Sequence, residues 1–541
     1  MARVIATARA ILPSFLHMFE TLRKELKRQD YRASGLSSTL KVRALGCVSL
    51  PPVGLHASAH LMRSRIKTFS TRLLVRSRIS SQSGRLALAP LTLLLLVQTL
   101  GCRLGEESAP RPNIVLITID TLRSDRVSAY GYGKETTPFL DELADQGVRF
   151  AASYSPSSWT VPSMASLFTS LDPDHHGIQR GLVEKNRIVG QEVLADSHVL
   201  LAETLRDAGY RTYGVSANLH LAARFGFAQG FDHYENLGFA NADRIAPVLE
   251  AWSEELSSGT QPYFLWIHYF DPHDPYYPRS PWFENPVPAL AGEVSEDDPV
   301  DIRRLYWLNS PDGRRRNPRR LKKELRIAQA AYDAEISFTD EQIRQAFETL
   351  DLDESDLIVV TADHGEEFYE HGNLGHGQDL HEEQVRVPLI VRLPGSAHAG
   401  RVVDQPVSLI DVAPSILDLL EIGPPPETQG SSLLPLIDES TDERAPVYLA
   451  VSRAEPGLRA VRKGSWKYIR DLGSSRGDRL FDLASDPGEQ HDLRLARPDV
   501  AKELAAHLDE YLAAAPLFLQ PDLEEVDAET LDELRALGYV D

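Results

Sequence analysis

Asp120, Thr160, Asp363 and His364 are the residues of this chain whose types and placement could do chemistry. Each falls where an apolar run ends or a helix-like run begins, and together they offer carboxylate and hydroxyl oxygens with one imidazole. Hard oxygen donors with a single ring nitrogen suit a divalent cation such as Ca²⁺, Mg²⁺, Mn²⁺ or Zn²⁺. A lone Asp after a strand is ordinarily a turn or cap residue. Two runs of the same kind, "NIVLITID" (113–120) and "SDLIVVTADHG" (355–365), both end in acid, which weakens that ordinary reading.

Thr160 stands in "SSWTVPSMASLFTSLDP" (157–173), ahead of Pro162 and the helix-like "SMASLF". Its hydroxyl is expected at a helix N-terminus, where backbone N–H groups and the helix dipole favour an anion. The plain alternative is an N-cap threonine.

These residues need a scaffold, and the patterning describes one. "NIVLITID" is continuous and rich in β-branched residues, as a strand buried on both faces of a parallel sheet should be. In "TTPFLDELADQGVRF" (136–150), Thr137 caps, Pro138 takes the first helical position and Gly147 stops the helix. A helix over 197–209 leads into the strand "YRTYGVSA". Further strands are "PYFLWIHYF", "SDLIVVTA" and "VRVPLIVRLPG" (385–395). Strands alternating with helices predict an α/β sandwich with a mostly parallel central sheet, in which chemistry collects at the carboxyl ends of the strands. "GPPPETQG", near 424, reads as a linker. A smaller C-terminal α+β subdomain follows, with antiparallel strands from 457 and helices at about 498–514 and 527–537. The expected division is thus a leader over 1–103, a catalytic domain over 111–423 and the C-terminal subdomain over 424–541.

The chain has 541 residues, 42% hydrophobic and 25% charged, which are ordinary globular values. Its net charge of −21 is unevenly spread. Residues 1–103 hold 17 basic and 3 acidic side chains, leaving 40 against 75 in the rest. So acidic a body argues against nucleic acid as a partner. The basic stretch "GRRRNPRRLKKELR" (313–326) interrupts it and reads first as a solvated helix start.

Within 1–103, a basic segment precedes the apolar run "LALAPLTLLLLVQTLGC" (86–102). That order predicts an export signal, with "TLGC" similar to a bacterial lipobox whose Cys102 would carry lipid; an uncleaved membrane anchor is the alternative. Residues 1–61 precede a second possible start at Met62 and read as leader or tail. The expected location is the bacterial periplasm or cell envelope, either free or attached to the membrane through Cys102 or an N-terminal anchor. Cys47 and Cys102 are the two cysteines, so the folded body holds no disulfide, cysteine nucleophile or thiolate metal site.

Several blocks together resemble the sulfatase family of the alkaline phosphatase superfamily. They are "RPNIVLITIDTLRSDRVSAYGY", "TVPSMASLFTSLDPDHHG", "HYFDPHDPY", "YDAEISFTDEQI", "TADHGEEFYEHGNLGHGQDLHEEQVRVPLIV" and the tail "LFDLASDPGEQHDL", in the expected order over roughly 111–493. The resemblance implies that Asp120, Asp363 and His364 are metal ligands with Thr160 beside them. It implies that His273, in "DPHDP", contacts substrate. His376, in "LGHGQ", falls where sulfatases usually place a lysine that holds the leaving group. His268 and His371 are next in line and read as satisfied core or loop histidines.

The chain also departs from the family pattern. Its nucleophile block reads Thr160-Val161-Pro162-Ser163-Met164, where sulfatases carry Cys or Ser at the first place and Arg at the last. Formylglycine is made from Cys or Ser, so Thr160 remains threonine. Thr121 stands in place of a second aspartate. A formylglycine hydrate expels sulfate by collapsing to the aldehyde, whereas an esterified threonine must wait for water. Beside a cation, threonine can still attack phosphorus in line and give a phosphothreonine that water or a second alcohol resolves. His273 or His376 could then protonate the leaving oxygen.

Three readings follow. The first is a metal-dependent hydrolase or transferase that cleaves phosphate, phosphonate or sulfate esters through Thr160. The second is a sulfuric ester hydrolase in substrate terms, and the third is a non-catalytic protein that keeps an anion pocket. In the first two the partner is an anionic ester substrate, sulfated or phosphorylated.

Overall fold

The structure, a computed structural model, describes residues 111–536 apart from 181, 186–187, 285–298, 301, 311–316, 442–443, 453–456, 474–476 and 516–520. The leader over 1–103, with its apolar run, Cys47 and Cys102, lies outside the described residues, as does the start of the basic stretch.

Eight strands form the central sheet: β1 (Ile114–Ile119), β2 (Val148–Phe150), β3 (Arg211–Ser216), β4 (His233–Asn236), β5 (Tyr263–Tyr269), β6 (Leu357–Ala362), β7 (Leu389–Arg392) and β8 (Arg401–Val403). Their order across the sheet is β8-β2-β7-β6-β1-β5-β3-β4. Only β7 runs against the rest, pairing antiparallel with both β2 and β6. β1, β5 and β6, the three centre strands, are buried at every residue, which is why their sequences are apolar without alternation. "VRVPLIVRLPG" makes two short strands where one was expected. Pro388, which has no N–H for a ladder, separates Arg386–Val387 from β7.

Helices cover the sheet. α1 (Pro138–Gln146) begins after Thr137 and ends at Gly147, as its punctuation predicts. α2 (Thr160–Thr169) is buried along its whole length. α3 (Leu201–Asp207) is shorter than the expected 197–209: residues 196–198 form a turn, and Glu203 caps the helix by accepting the Leu200 N–H at 2.9 Å. α4 (Pro318–Leu350) opens on the basic stretch, with Arg319, Arg320, Lys322, Lys323 and Arg326 exposed to solvent.

The C-terminal part is an antiparallel sheet of β9 (Val447–Val451), β10 (Leu458–Lys463), β11 (Trp466–Asp471) and β12 (Arg479–Asp482). One face packs on α5 (Pro498–Ala514) through Val461, Tyr468, Leu504 and Leu508. The other closes over Tyr154, Leu380 and Val385, and so bears on the loop that follows β6. No described helix is long and apolar enough to cross a membrane.

Candidate active site

Parallel register assembles the site. β1 and β6 are neighbours with Ile119 opposite Ala362, so the next residue of each, Asp120 and Asp363, leaves the sheet at the same level. On the other side of β1, Thr118 pairs with His268 of β5, and His268 pairs with Ser216 of β3. Thr118 and Asp120 share a face. The His268 ring therefore lies against Asp120, Nε2 to Oδ2 at 3.5 Å, while its Nδ1 is 2.8 Å from the Thr118 hydroxyl. Asn218, two residues past β3, donates to the same Asp120 oxygen at 2.6 Å.

Asp363 is held by the backbone. Thr121 takes a positive φ of 54°, uncommon for a β-branched residue, and so turns its N–H onto Asp363 Oδ1 at 3.1 Å. The His364 N–H reaches the same oxygen at 2.7 Å. That leaves Asp363 Oδ2 and Asp120 Oδ1, both wholly buried, without a hydrogen-bond donor among the described residues.

Thr160 is not an N-cap: the cap position is Trp159, in extended backbone, and Thr160 is the first residue of α2. Its Oγ1 instead lies 3.1 Å from His364 Nε2. Ser163, one turn along, donates to the Asp363 carbonyl at 2.6 Å and bolts the start of α2 to the end of β6. His364 Nδ1 donates to the Gly365 carbonyl at 2.9 Å, which leaves Nε2 as the basic atom. That atom is also 3.4 Å from Asp363 Oδ2 and 3.7 Å from Asp120 Oδ1. The four residues singled out from sequence therefore converge.

Of the other histidines, His376 comes close. Its ring centroid lies 4.5 Å from that of His364 and 4.9 Å from that of His273, and it stacks on Trp159 at 5.3 Å. His273 stacks on Phe270 at 4.5 Å, its Nδ1 2.6 Å from the Asp274 carbonyl. His268, expected as a core histidine, belongs to the site. His371 does not: it bonds Glu383 at 2.7 Å and stacks on His381 at 3.6 Å.

The electrostatics favour a cation. Burial and the facing Asp120 charge push the Asp363 carboxyl well up. Burial alone would raise Asp120 too, but the His268 hydrogen bond and the charges of His273, His364 and His268 hold it below the usual range. Two carboxylates buried this close cannot both stay ionised without a compensating charge. Asp120, His268 and Asp363 place donor atoms within 4.8 Å of one another, with Thr160 and His364 beside them. Oxygen donors with imidazole, two of the oxygens lacking a proton partner, fit a divalent ion.

Sequence reasoning did not single out Asn218, Trp159 or Glu366. Asn218 follows a strand end much as Asp120 does, which was the available signal. Glu366 lies inside "ADHGEEF", is wholly buried and meets His376 Nδ1 at 3.2 Å.

A mostly parallel sheet with helices, a smaller antiparallel sheet at its C-terminal side, and an acid–histidine cluster at the central strand ends define an α/β fold of the alkaline-phosphatase-like class. The Sulfatase family profile matches residues 112–422, and an N-sulphoglucosamine sulphohydrolase C-terminal profile matches 370–515. The chain belongs to the sulfatase family, whose members are ester-cleaving hydrolases. A choline-sulfatase of Rhizobium meliloti is 26% identical over 439 residues, covering 70% of this chain and 81% of the relative. Human arylsulfatase K is 25% identical over 456 residues, 73% of this chain and 81% of its own length. Among solved structures, the phosphonate monoester hydrolase of Agrobacterium radiobacter superposes with a TM-score of 0.58 at 20% identity, over 77% of this chain and all of that one. A protein solved with its substrate D-glucosamine-2-N,6-O-disulfate gives 0.57 at 20% identity, over 74% and 97%.

Proposed function

We propose that this chain is a metal-dependent hydrolase, or transferase, that cleaves a phosphate, phosphonate or sulfate ester with Thr160 as nucleophile. The observation that carries the proposal is the Thr160 hydroxyl, 3.1 Å from His364 Nε2, beside two buried carboxylate oxygens that no described donor satisfies. Asp120, Asp363 and His364, with Thr160 itself and His268 in reach, would hold the cation. When bound, a divalent ion lowers the pKa of a neighbouring hydroxyl and neutralises non-bridging oxygens of an anionic ester.

The chain's own residues do the rest. Ser163 and the start of α2 fix the Thr160 hydroxyl. Asn218 and His268 orient Asp120, and the Thr121 and His364 amides orient Asp363. His376 and His273 border the same space and are placed to give a proton to the leaving oxygen. The covalent threonine ester cannot collapse as a formylglycine hydrate does, so water or a second alcohol must displace it at the central atom. That need favours phosphorus. Sulfate esters are the second reading, supported by relatives that carry sulfatase names. Export, with attachment through Cys102, stays part of the proposal on the strength of the run over 86–102.

The test compares wild type with Thr160→Ala and Thr160→Ser on paired aryl phosphate, phosphodiester, phosphonate and sulfate substrates. Thr160→Ala should lose roughly 10³-fold or more in kcat, and Thr160→Ser should keep part of the rate. Acid-quenched wild type should carry the phosphoryl, phosphonyl or sulfuryl group on the peptide that contains Thr160. Unchanged turnover in Thr160→Ala overturns the mechanism.

A further inference from the structure

Glu366 is a buried carboxyl that the proposed chemistry leaves without a task. The two-stranded ladder Glu367–Phe368 and Leu374–Gly375 explains its position. Glu367 pairs antiparallel with Gly375, so Glu366 and His376 are the next residues in register. Gly375 allows the close approach: a Cβ there would lie 2.6 Å from the Tyr306 hydroxyl and 3.6 Å from Glu366 Oε1. The result is a contact of 3.2 Å between His376 Nδ1 and Glu366 Oε1. Trp159, the residue before Thr160, stacks on the His376 ring with planes 27° apart.

We propose that Glu366 is a positioning residue for His376, holding the Nδ1 proton and thereby aiming Nε2, with its own proton, at the leaving oxygen. This rests on the reading of Thr160 as nucleophile. A carboxylate on one imidazole nitrogen fixes the tautomer and stabilises the imidazolium, as in other carboxylate–histidine pairs. A lysine ammonium presents its protons in several directions, whereas an imidazole must be turned to aim one nitrogen. In the step, Thr160 enters as its alkoxide, its proton already lost to solvent. Its oxygen bonds to phosphorus or sulfur, and the bond to the leaving oxygen breaks with the electron pair staying on that oxygen. That oxygen takes the Nε2 proton. His376 is left neutral, Nδ1–H still on Glu366, and regains the Nε2 proton from the water that later displaces the threonine.

The experiment is a leaving-group series on the full chain: nitrophenyl and alkyl esters of the same acid, with wild type, Glu366→Gln, His376→Ala, the double variant and Thr160→Ala. Glu366→Gln should lower kcat for alkyl esters about 10²-fold and leave the nitrophenyl ester, which leaves without a proton, within about threefold. KM should hold in both cases. His376→Ala should show the same selectivity, and the double variant should be no worse than His376→Ala alone. Equal loss on both ester classes, or additive loss in the double variant, overturns the proposal. If Glu366→Gln unfolds, His376→Ala decides the matter alone: a loss equal across the series rejects it. Thr160→Ala separates the two claims. Retained turnover there sinks the nucleophile reading, whereas lost turnover with a neutral Glu366→Gln sinks only the positioning role.

Discussion

The Asp120–Asp363 pair supplies a prediction whose sign depends on whether a cation is present. Their donor oxygens lie within 4.8 Å in a site with no exposed surface. Two unit charges at that separation repel by about 3 kcal/mol at an effective dielectric constant of ~20. Asp363→Asn should remove this repulsion at little other cost. Oδ1, which accepts the Thr121 and His364 amides, is kept as the amide oxygen, and only Oδ2, which accepts no hydrogen bond from the described residues, is changed. The folded protein raises the Asp363 pKa, so without a cation it holds a proton that the unfolded chain has released. Stability of the chelated protein should therefore fall as pH climbs from the ordinary carboxylate range toward about 8. Thermal unfolding above that range, with chelator and then with Mg²⁺, Ca²⁺, Mn²⁺ or Zn²⁺ titrated in, is the assay. In chelator the variant should melt higher than wild type, by a few degrees for ~3 kcal/mol in a chain of this length. With cation the order should reverse, since wild type gains by linkage and the variant has given up a ligand. A wild type indifferent to chelator and cation, together with a variant that melts lower in chelator, would refute the metal site and the charge argument at once.

Two further predictions concern the loop after β6. Burial alone would lower His371, but its hydrogen bond and charge contact with Glu383, with Glu489 behind, raise it to about 9. Its contribution is full below the ordinary histidine value of ~6.5 and is lost as pH rises through about 9, so His371→Gln should flatten the wild-type fall in Tm over that window, worth on the order of 1–3 kcal/mol. Identical pH profiles for the two proteins would count against it. Gly365→Ala should destabilise by about 2 kcal/mol or more and weaken cation binding, because a Cβ there would meet the Glu383 carbonyl oxygen at 2.1 Å, and that oxygen belongs to backbone. Urea denaturation and metal content measure both effects, and a fully stable variant with normal metal content would contradict the packing.

The strands were legible because burial on both faces leaves so little choice of residue. "NIVLITID" and "SDLIVVTAD" could hardly be anything but central strands, and an acid at the end of each pointed to the carboxyl edge. The partners of those acids were less visible. His268 sits inside "WIHYF" among core residues, and only the pairing of Thr118 with His268 turns it toward Asp120. Register between strands about 150 residues apart is a long-range property, and a local pattern does not carry it. The same limit hid Pro388's effect on its strand less than it hid the antiparallel direction of β7, which depends on where the chain returns from.

Thr160 and Glu366 make the point sharper, because both acquire their meaning from a one-residue offset. Had Thr160 been the cap of α2, its hydroxyl would have been turned back onto the helix's own amides. With Trp159 at that place, the Thr160 hydroxyl faces His364, and the Trp159 indole is the plate against which His376 lies. Likewise, the ladder that sets Glu367 against Gly375 puts Glu366 opposite His376. A slip of one residue would send that carboxyl to the other face. At both positions where the chain departs from the family pattern, a local backbone arrangement thus presents the side chain to His364. Replacing His376 by lysine should make Glu366 dispensable, and Glu366→Gln in a His376→Lys background is the comparison in which the carboxyl's loss ought to go unnoticed by alkyl esters.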